Sequence, residues 1–197
     1  MKLNRKEIVR FLQLCITNSF SSNYKIFFEV SASKNSSITP DGFAGKYHLD
    51  CVLLESWRKS SKNPFRTHCI EIKSCKADFK SDKKWQNYIG RTDELSFLAL
   101  PGVINPEDLP KGIGLFVPSC SSSCGDTATC LNRIKNTKSQ KVSTEARYDT
   151  MYGLAINTRR YNRKDWTEKD DEEREKLSEK YLEKAWKKKL KQGVLGI

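Results

Sequence analysis

Residues Cys69-Ile70-Glu71-Ile72-Lys73 alternate between apolar and charged side chains. Alternate residues of a strand share a face, so Glu71 and Lys73 project together while Ile70 and Ile72 enter the opposite layer. A carboxylate and an amine on an otherwise apolar strand are costly to bury unless they are paired or bound to a metal. This strand therefore belongs inside a layered sheet, and its charged face is either a strand-end salt bridge or a site.

The flanking sequence supplies such a sheet. Asn4-Arg5-Lys6-Glu7 has the spacing of a capping box, and Ile8, Phe11, Leu12 and Cys15 mark one face of a helix over 4–18. Strands are expected at Tyr24–Val30, His48–Glu55, Arg66–Ser74, Leu95–Leu100 and Ile113–Val117, from their aromatic and β-branched content. Ser31–Gly45 and Ser56–Pro64 read as loops, and Ala77 to about Arg91 as a helix carrying Phe79, Trp85 and Tyr88. Strands mixed with covering helices imply an α/β class domain, a mixed central β-sheet flanked by helices.

Charge divides the chain. The net charge is +12 over 197 residues, a balance that attracts polyanions, nucleic acid foremost. None of it comes from 165–197: acids and bases cancel there, with acids in the first turns and lysines in the last, as a helix dipole favours. Leu177, Tyr181, Leu182, Trp186 and Leu190 form one apolar stripe on that tail, which reads as an amphipathic C-terminal helix for docking, homo-oligomer formation or a protein partner. The expected organisation is a core over 1–118, a Ser/Cys loop and basic segment over 119–164, and the charged helix over 165–197. No apolar run approaches the ~20 residues a bilayer span requires, and the first residues do not read as a secretory signal. The expectation is a cytoplasmic protein, with no membrane association, whose seven Cys are mostly reduced thiols.

Asp50 lies on the strand before Glu71. If these strands pair, the two carboxylates approach, and a hard divalent cation relieves their repulsion. Mg²⁺ takes one or two carboxylates and keeps several waters, one of which can become a nucleophile. Lys73 would then orient that water or neutralise charge developing on a phosphate.

Asp50 with Glu71-Ile72-Lys73, on adjacent expected strands after an N-terminal helix, resembles the PD-(D/E)xK nuclease superfamily. The stretch Glu71-Ile72-Lys73-Ser74-Cys75-Lys76-Ala77-Asp78-Phe79-Lys80-Ser81-Asp82-Lys83-Lys84-Trp85-Gln86-Asn87-Tyr88 is similar, more narrowly, to the MmcB-like DNA repair family. Further likenesses are Asp93 before its strand and Gly114-Leu115-Phe116-Val117, so the resemblance spans roughly 5–118. It implies a restriction-endonuclease-like fold, DNA as partner, and Mg²⁺- or Mn²⁺-dependent phosphodiester hydrolysis by Asp50, Glu71 and Lys73. The chain departs from the family before the motif aspartate, where Lys46-Tyr47-His48-Leu49 stands in place of an Arg pair or Arg-Ala.

Other residues could serve the same site. In the superfamily an additional acidic residue from the N-terminal part often supports the metal; Glu29 is preferred to Glu7, whose carboxylate has a capping role. Lys76, Lys80, Lys83 and Lys84 on one side, and Arg58, Lys59 and Lys62 on the other, could hold the DNA backbone, or simply be solvated. Cys120, Cys124 and Cys130 could join a zinc site, which needs a fourth ligand, or, as the resemblance to some nucleases of the superfamily implies, an iron–sulfur cluster completed by Cys15; their spacing is not that of those nucleases, and ordinary free thiols in a Ser-rich loop are the expectation. His48 and His68 read as structural. The rivals to a nuclease are a catalytically inactive DNA-binding or adaptor protein of the same fold and an interaction subunit working through the tail.

Overall fold

The computed structural model describes residues 4–20, 24–32, 47–55, 66–120 and 129–161. In chain order these form α1 (Arg5–Phe20), β1 (Tyr24–Ala32), β2 (Tyr47–Glu55), β3 (Arg66–Lys73), α2 (Lys76–Ser81), a 3-10 turn (Lys84–Tyr88), β4 (Glu94–Ala99), a second 3-10 turn (Pro106–Asp108), β5 (Gly114–Cys120), β6 (Thr129–Lys135) and α3 (Thr144–Tyr161). The expected tail helix, Arg58, Lys59, Lys62 and Cys124 lie outside the described residues, and so does the side chain of Cys120.

The six strands form one mixed sheet in sequence order. β1–β2, β2–β3 and β5–β6 pair antiparallel, whereas β3–β4 and β4–β5 pair parallel. β3 and β4 are central and covered on both faces, so they read as nearly continuous buried runs. One face packs Cys51, Leu53, Ile70, Ile72, Leu98 and Phe116 beneath Phe11, Leu12, Cys15 and Ile16 of α1. The other packs Val52, Cys69, Leu95, Phe97 and Leu115 with Trp85, Tyr88 and Leu154. The capping box forms as the spacing predicts: the Glu7 amide donates to Asn4 Oδ1 at 3.0 Å, and the Asn4 amide donates to Glu7 Oε2 at 2.7 Å.

Three expectations need correction. The helix expected over 77–91 ends at Ser81; Asp82 turns extended (φ −79°, ψ 116°) and a separate 3-10 turn follows. Its side chain is the cause, because Asp82 Oδ1 accepts the Lys84 amide at 2.7 Å and so restarts the chain. The basic segment within 119–164, to which the sequence pattern assigns no element, supplies edge strand β6 and helix α3. Third, Cys130 is disulfide-bonded, not a free thiol, and its sulfur is not available as a thiolate ligand; Cys15, Cys51, Cys69 and Cys75 are outside any disulfide.

Helix α3 docks largely through polar contacts. Arg147 grips both oxygens of Asp93 at 3.0 and 2.7 Å, and Asp149 accepts from Arg91 at 3.1 Å. Ala146, Leu154 and the partly buried Met151 add apolar contact.

Candidate active site

The cleft begins where two strands part. The β2–β3 register runs from Glu55↔Arg66 to Cys51↔Ile70 and stops. Beyond that rung Asp50 Oδ2 accepts the Ile72 amide at 2.8 Å. A side-chain oxygen thus takes a β3 donor beyond the last paired rung, and the strands open there.

On β1, Glu29 stands opposite Asp50, between the pairs Phe28↔Cys51 and Val30↔Leu49. Phe28 and Cys51 belong to the core under α1, but Val30 and Leu49 belong to the opposite one. The inward faces change over at this point, and Glu29 carries the left-handed backbone (φ 53°) that accompanies the change. A non-glycine residue in that region costs about 1–2 kcal/mol. Glu29 is exposed, and its charge acts on Asp50 from outside the cleft lining.

The structure brings Asp50, Glu71 and Lys73 together in a cleft of about 810 Å³, whose walls include Arg5, His48, Asp78, Asp82, Lys83, Lys84, Asn87 and Tyr88. Lys73 Nζ donates to Glu71 Oε1 at 2.9 Å and to Asp82 Oδ2. Glu71 Oε2 is buried and accepts no hydrogen bond. Burial, reinforced by the Asp50 charge and opposed by Lys73, pushes the Glu71 carboxyl up to about 8. Burial likewise raises Asp50 to about 6 against the pull of the Ile72 amide and Lys73. Burial alone would lower Lys73, but Glu71 and Asp82 hold its ammonium above the usual range.

The turn after β3 is fixed by Asp78. Its Oδ2 accepts the Ser74 amide at 3.1 Å and the Ser74 hydroxyl at 3.0 Å, while Oδ1 meets Arg5 at 3.4 Å. Tyr88 donates to the His48 carbonyl at 2.8 Å, pinning β2 beside Asp50. Of the four lysines expected near the site, Lys83 and Lys84 line the cleft; Lys76 and Lys80 are exposed on α2, outside the lining. The His48 side chain is exposed in the cleft, and buried His68 shares a 2.8 Å hydrogen bond with Ser96. Sequence reasoning assigns no site role to Asp82, Asp78 or Arg5, and that of Asp82 is hidden by a helix expected to run through it.

The donor set can be tested against a divalent cation. Among the described residues no group of three or more His, Cys, Asp or Glu side chains is placed to hold a metal. Mg²⁺ needs only one or two carboxylates, and a buried carboxylate oxygen without a donor, beside a second carboxylate, is the environment a hard cation stabilises. Asp50 and Glu71 fit.

A family model described as DNA repair protein MmcB-like matches residues 60–162. The chain belongs to the MmcB-like family. The family match takes in Glu71, Lys73, Asp82 and α3, while Asp50 and Glu29 lie upstream of it. A solved structure, the SPO1766 protein of unknown function from Silicibacter pomeroyi, superposes with a TM-score of 0.53 at 20% identity, covering 82% of this chain and 90% of that one. That likeness is one of fold. No curated protein matches. Among the described residues no helix of this MmcB-like chain is long and apolar enough to cross a membrane.

Proposed function

We propose that this MmcB-like protein is a metal-dependent nuclease of PD-(D/E)xK type that hydrolyses DNA phosphodiesters in a repair setting. The buried Glu71 Oε2, which accepts no hydrogen bond and lies beside Asp50, carries the reading. Asp50 and Glu71 would hold Mg²⁺ or Mn²⁺, which when bound supplies an activated water and neutralises charge on the phosphate; Glu29, outside the cleft lining, would contribute its charge to Asp50 and not a ligand. Asp50 is oriented by the Ile72 amide, so its position does not depend on the ligand. Lys73 offers a donor next to the carboxylates, suited to the charge that develops on a non-bridging oxygen. Arg5, Lys83 and Lys84 stand on the walls as phosphate-backbone contacts, which give affinity without sequence choice. Lys76 and Lys80, exposed on α2, would add backbone contacts, and Arg58, Lys59 and Lys62, outside the described residues, are proposed as further ones from their charge alone. The family description supports DNA as the substrate.

The test is cleavage of single-stranded, duplex and branched DNA with Mg²⁺ or Mn²⁺. Glu71→Ala and Asp50→Ala should each lower the rate by roughly a hundredfold or more. Equal activity of wild type and Glu71→Ala would overturn the proposal. Salt-dependent DNA binding with no cleavage, unchanged in Glu71→Gln, would establish the non-catalytic alternative.

A further inference from the structure

Lys73 is an unusual charge for its depth. Its side chain is 4% exposed, and two carboxylates from different elements meet it: Glu71 Oε1 from its own strand and Asp82 Oδ2 from beyond α2. Asp82 is itself anchored, because its other oxygen accepts the Lys84 amide and the backbone there has left the helix. The Phe97 ring, 6.0 Å from Nζ, offers no charge.

Glu71 therefore has two duties under the proposed function. Oε1 serves Lys73, while Oε2 is held without a donor near Asp50. A cation drawing on Glu71 competes with Lys73 for the same carboxylate. A buried ammonium that loses its only counter-charge is strongly disfavoured, so a site built from Glu71 and Lys73 alone would resist the cation. Asp82 removes that conflict because it is a second carboxylate on the same ammonium, and its position is fixed independently of Glu71.

We infer that Asp82 is the positioning residue that keeps Lys73 in place while Glu71 turns to a divalent cation. The inference rests on the proposed metal site and adds a residue to it. Asp82 acts through Lys73.

A double-mutant cycle on the full chain, read by Mn²⁺ calorimetry, tests it. Asp82→Asn retains an oxygen for the Lys84 amide and removes the charge. It should weaken Mn²⁺ binding about tenfold, and adding Lys73→Met should restore most of that loss, a coupling of roughly 1.4 kcal/mol. Lys73→Met made in the wild type should strengthen binding much less. The same gain from Lys73→Met in both backgrounds overturns the inference. The ammonium ¹⁵N signal of Lys73 in the metal-free protein gives a second reading: it should be resolved in wild type and shifted or broadened in Asp82→Asn. An unchanged signal also overturns the inference. Mn²⁺ binding that is absent, or indifferent to Glu71→Ala, defeats the proposed function and this inference together. Glu71-dependent binding without coupling between residues 73 and 82 defeats the inference alone.

Discussion

The central parallel pair of strands carries a buried carboxylate at each end, and the two are opposite in kind. Asp93, just before β4, accepts the Thr67 amide at 2.8 Å and the Thr67 hydroxyl at 3.1 Å, with Arg147 across both oxygens. Burial would raise its carboxyl, but Arg147 and the Thr67 amide hold it below the usual range. Glu71, near the other end, shares one oxygen with Lys73, leaves the other without a donor, and is raised. A fully satisfied buried anion holds helix α3 to the sheet. A half-satisfied one is the position the proposed cation would fill, since native structures rarely leave such groups without a reason.

The largest stability loss should come from breaking the satisfied end. Asp93→Ala leaves Arg147 and the Thr67 amide without their acceptor, and should cost about 3 kcal/mol, measured by denaturant unfolding. Glu71→Gln, at the other end, should leave stability at pH 8 unchanged or raised while eliminating metal-dependent cleavage. If Glu71→Gln destabilised as much as Asp93→Ala, the two ends would not differ in kind.

Their pH dependences should also oppose each other. The folded Glu71 carboxyl titrates at about 8 against an ordinary 4.5, so its proton is held in the folded chain and released in the unfolded one between those values. Its contribution to stability is therefore complete below pH 4.5 and lost as the pH rises through about 8. Asp50 loses its contribution in the same direction, between 3.8 and about 6. Asp93 is depressed, so its contribution is present above 3.8 and lost as the pH falls through its lowered value. Melting curves of the metal-free protein should decline from about pH 4.5 to about 8, most steeply below about 6 where both carboxyls contribute, and Glu71→Gln should flatten the part between about 6 and 8. Mn²⁺ should bind more tightly as the pH rises through the same window, because binding displaces the Glu71 proton.

Much of this contrast can be read from the sequence, and the reasons for the rest are physical. Strands β1 to β5 announce themselves because each puts apolar side chains on a core face. The alternation around Glu71 and Lys73 marks a buried charged face before any contact is known. β6 escapes such a reading because it is an edge strand whose Asn132, Arg133 and Ile134 are exposed, so its pattern is not that of a core element. α3 escapes because its buried face includes Asp149 and Thr150: Asp149 pairs with Arg91, and the Thr150 hydroxyl donates to the Arg91 carbonyl. Hydrophobic periodicity does not register a helix held by ion pairs. Asp82 is hidden for a related reason: on a continuous helix it would be one more charged surface residue, and only the break after Ser81 turns it toward Lys73.

A smaller effect tests the packing between the two ends. A Cβ on Gly114 would lie 2.2 Å from Ser96 Oγ and 3.1 Å from Thr137 Cβ, and that hydroxyl is bonded to His68. The neighbours must shift, so Gly114→Ala should cost about 1–3 kcal/mol in unfolding experiments. Because β5 meets β4 beside Ser96, the loss should appear without a change in Mn²⁺ affinity, which separates sheet packing from the cleft.

Tyr88→Phe should have the smallest effect and lies nearest the boundary between structure and site. The ring is buried among core residues while its hydroxyl donates to the His48 carbonyl on the cleft wall. Removing one neutral hydrogen bond should cost about 1 kcal/mol, with the ring's packing kept. If the bond's main consequence is to hold β2 where Asp50 reaches the Ile72 amide, Mn²⁺ affinity should fall by a few-fold alongside the small stability loss. A stability loss with unaltered affinity would instead place Tyr88 with Asp93, as a group that holds the fold and leaves the cleft to Asp50, Glu71, Lys73 and Asp82.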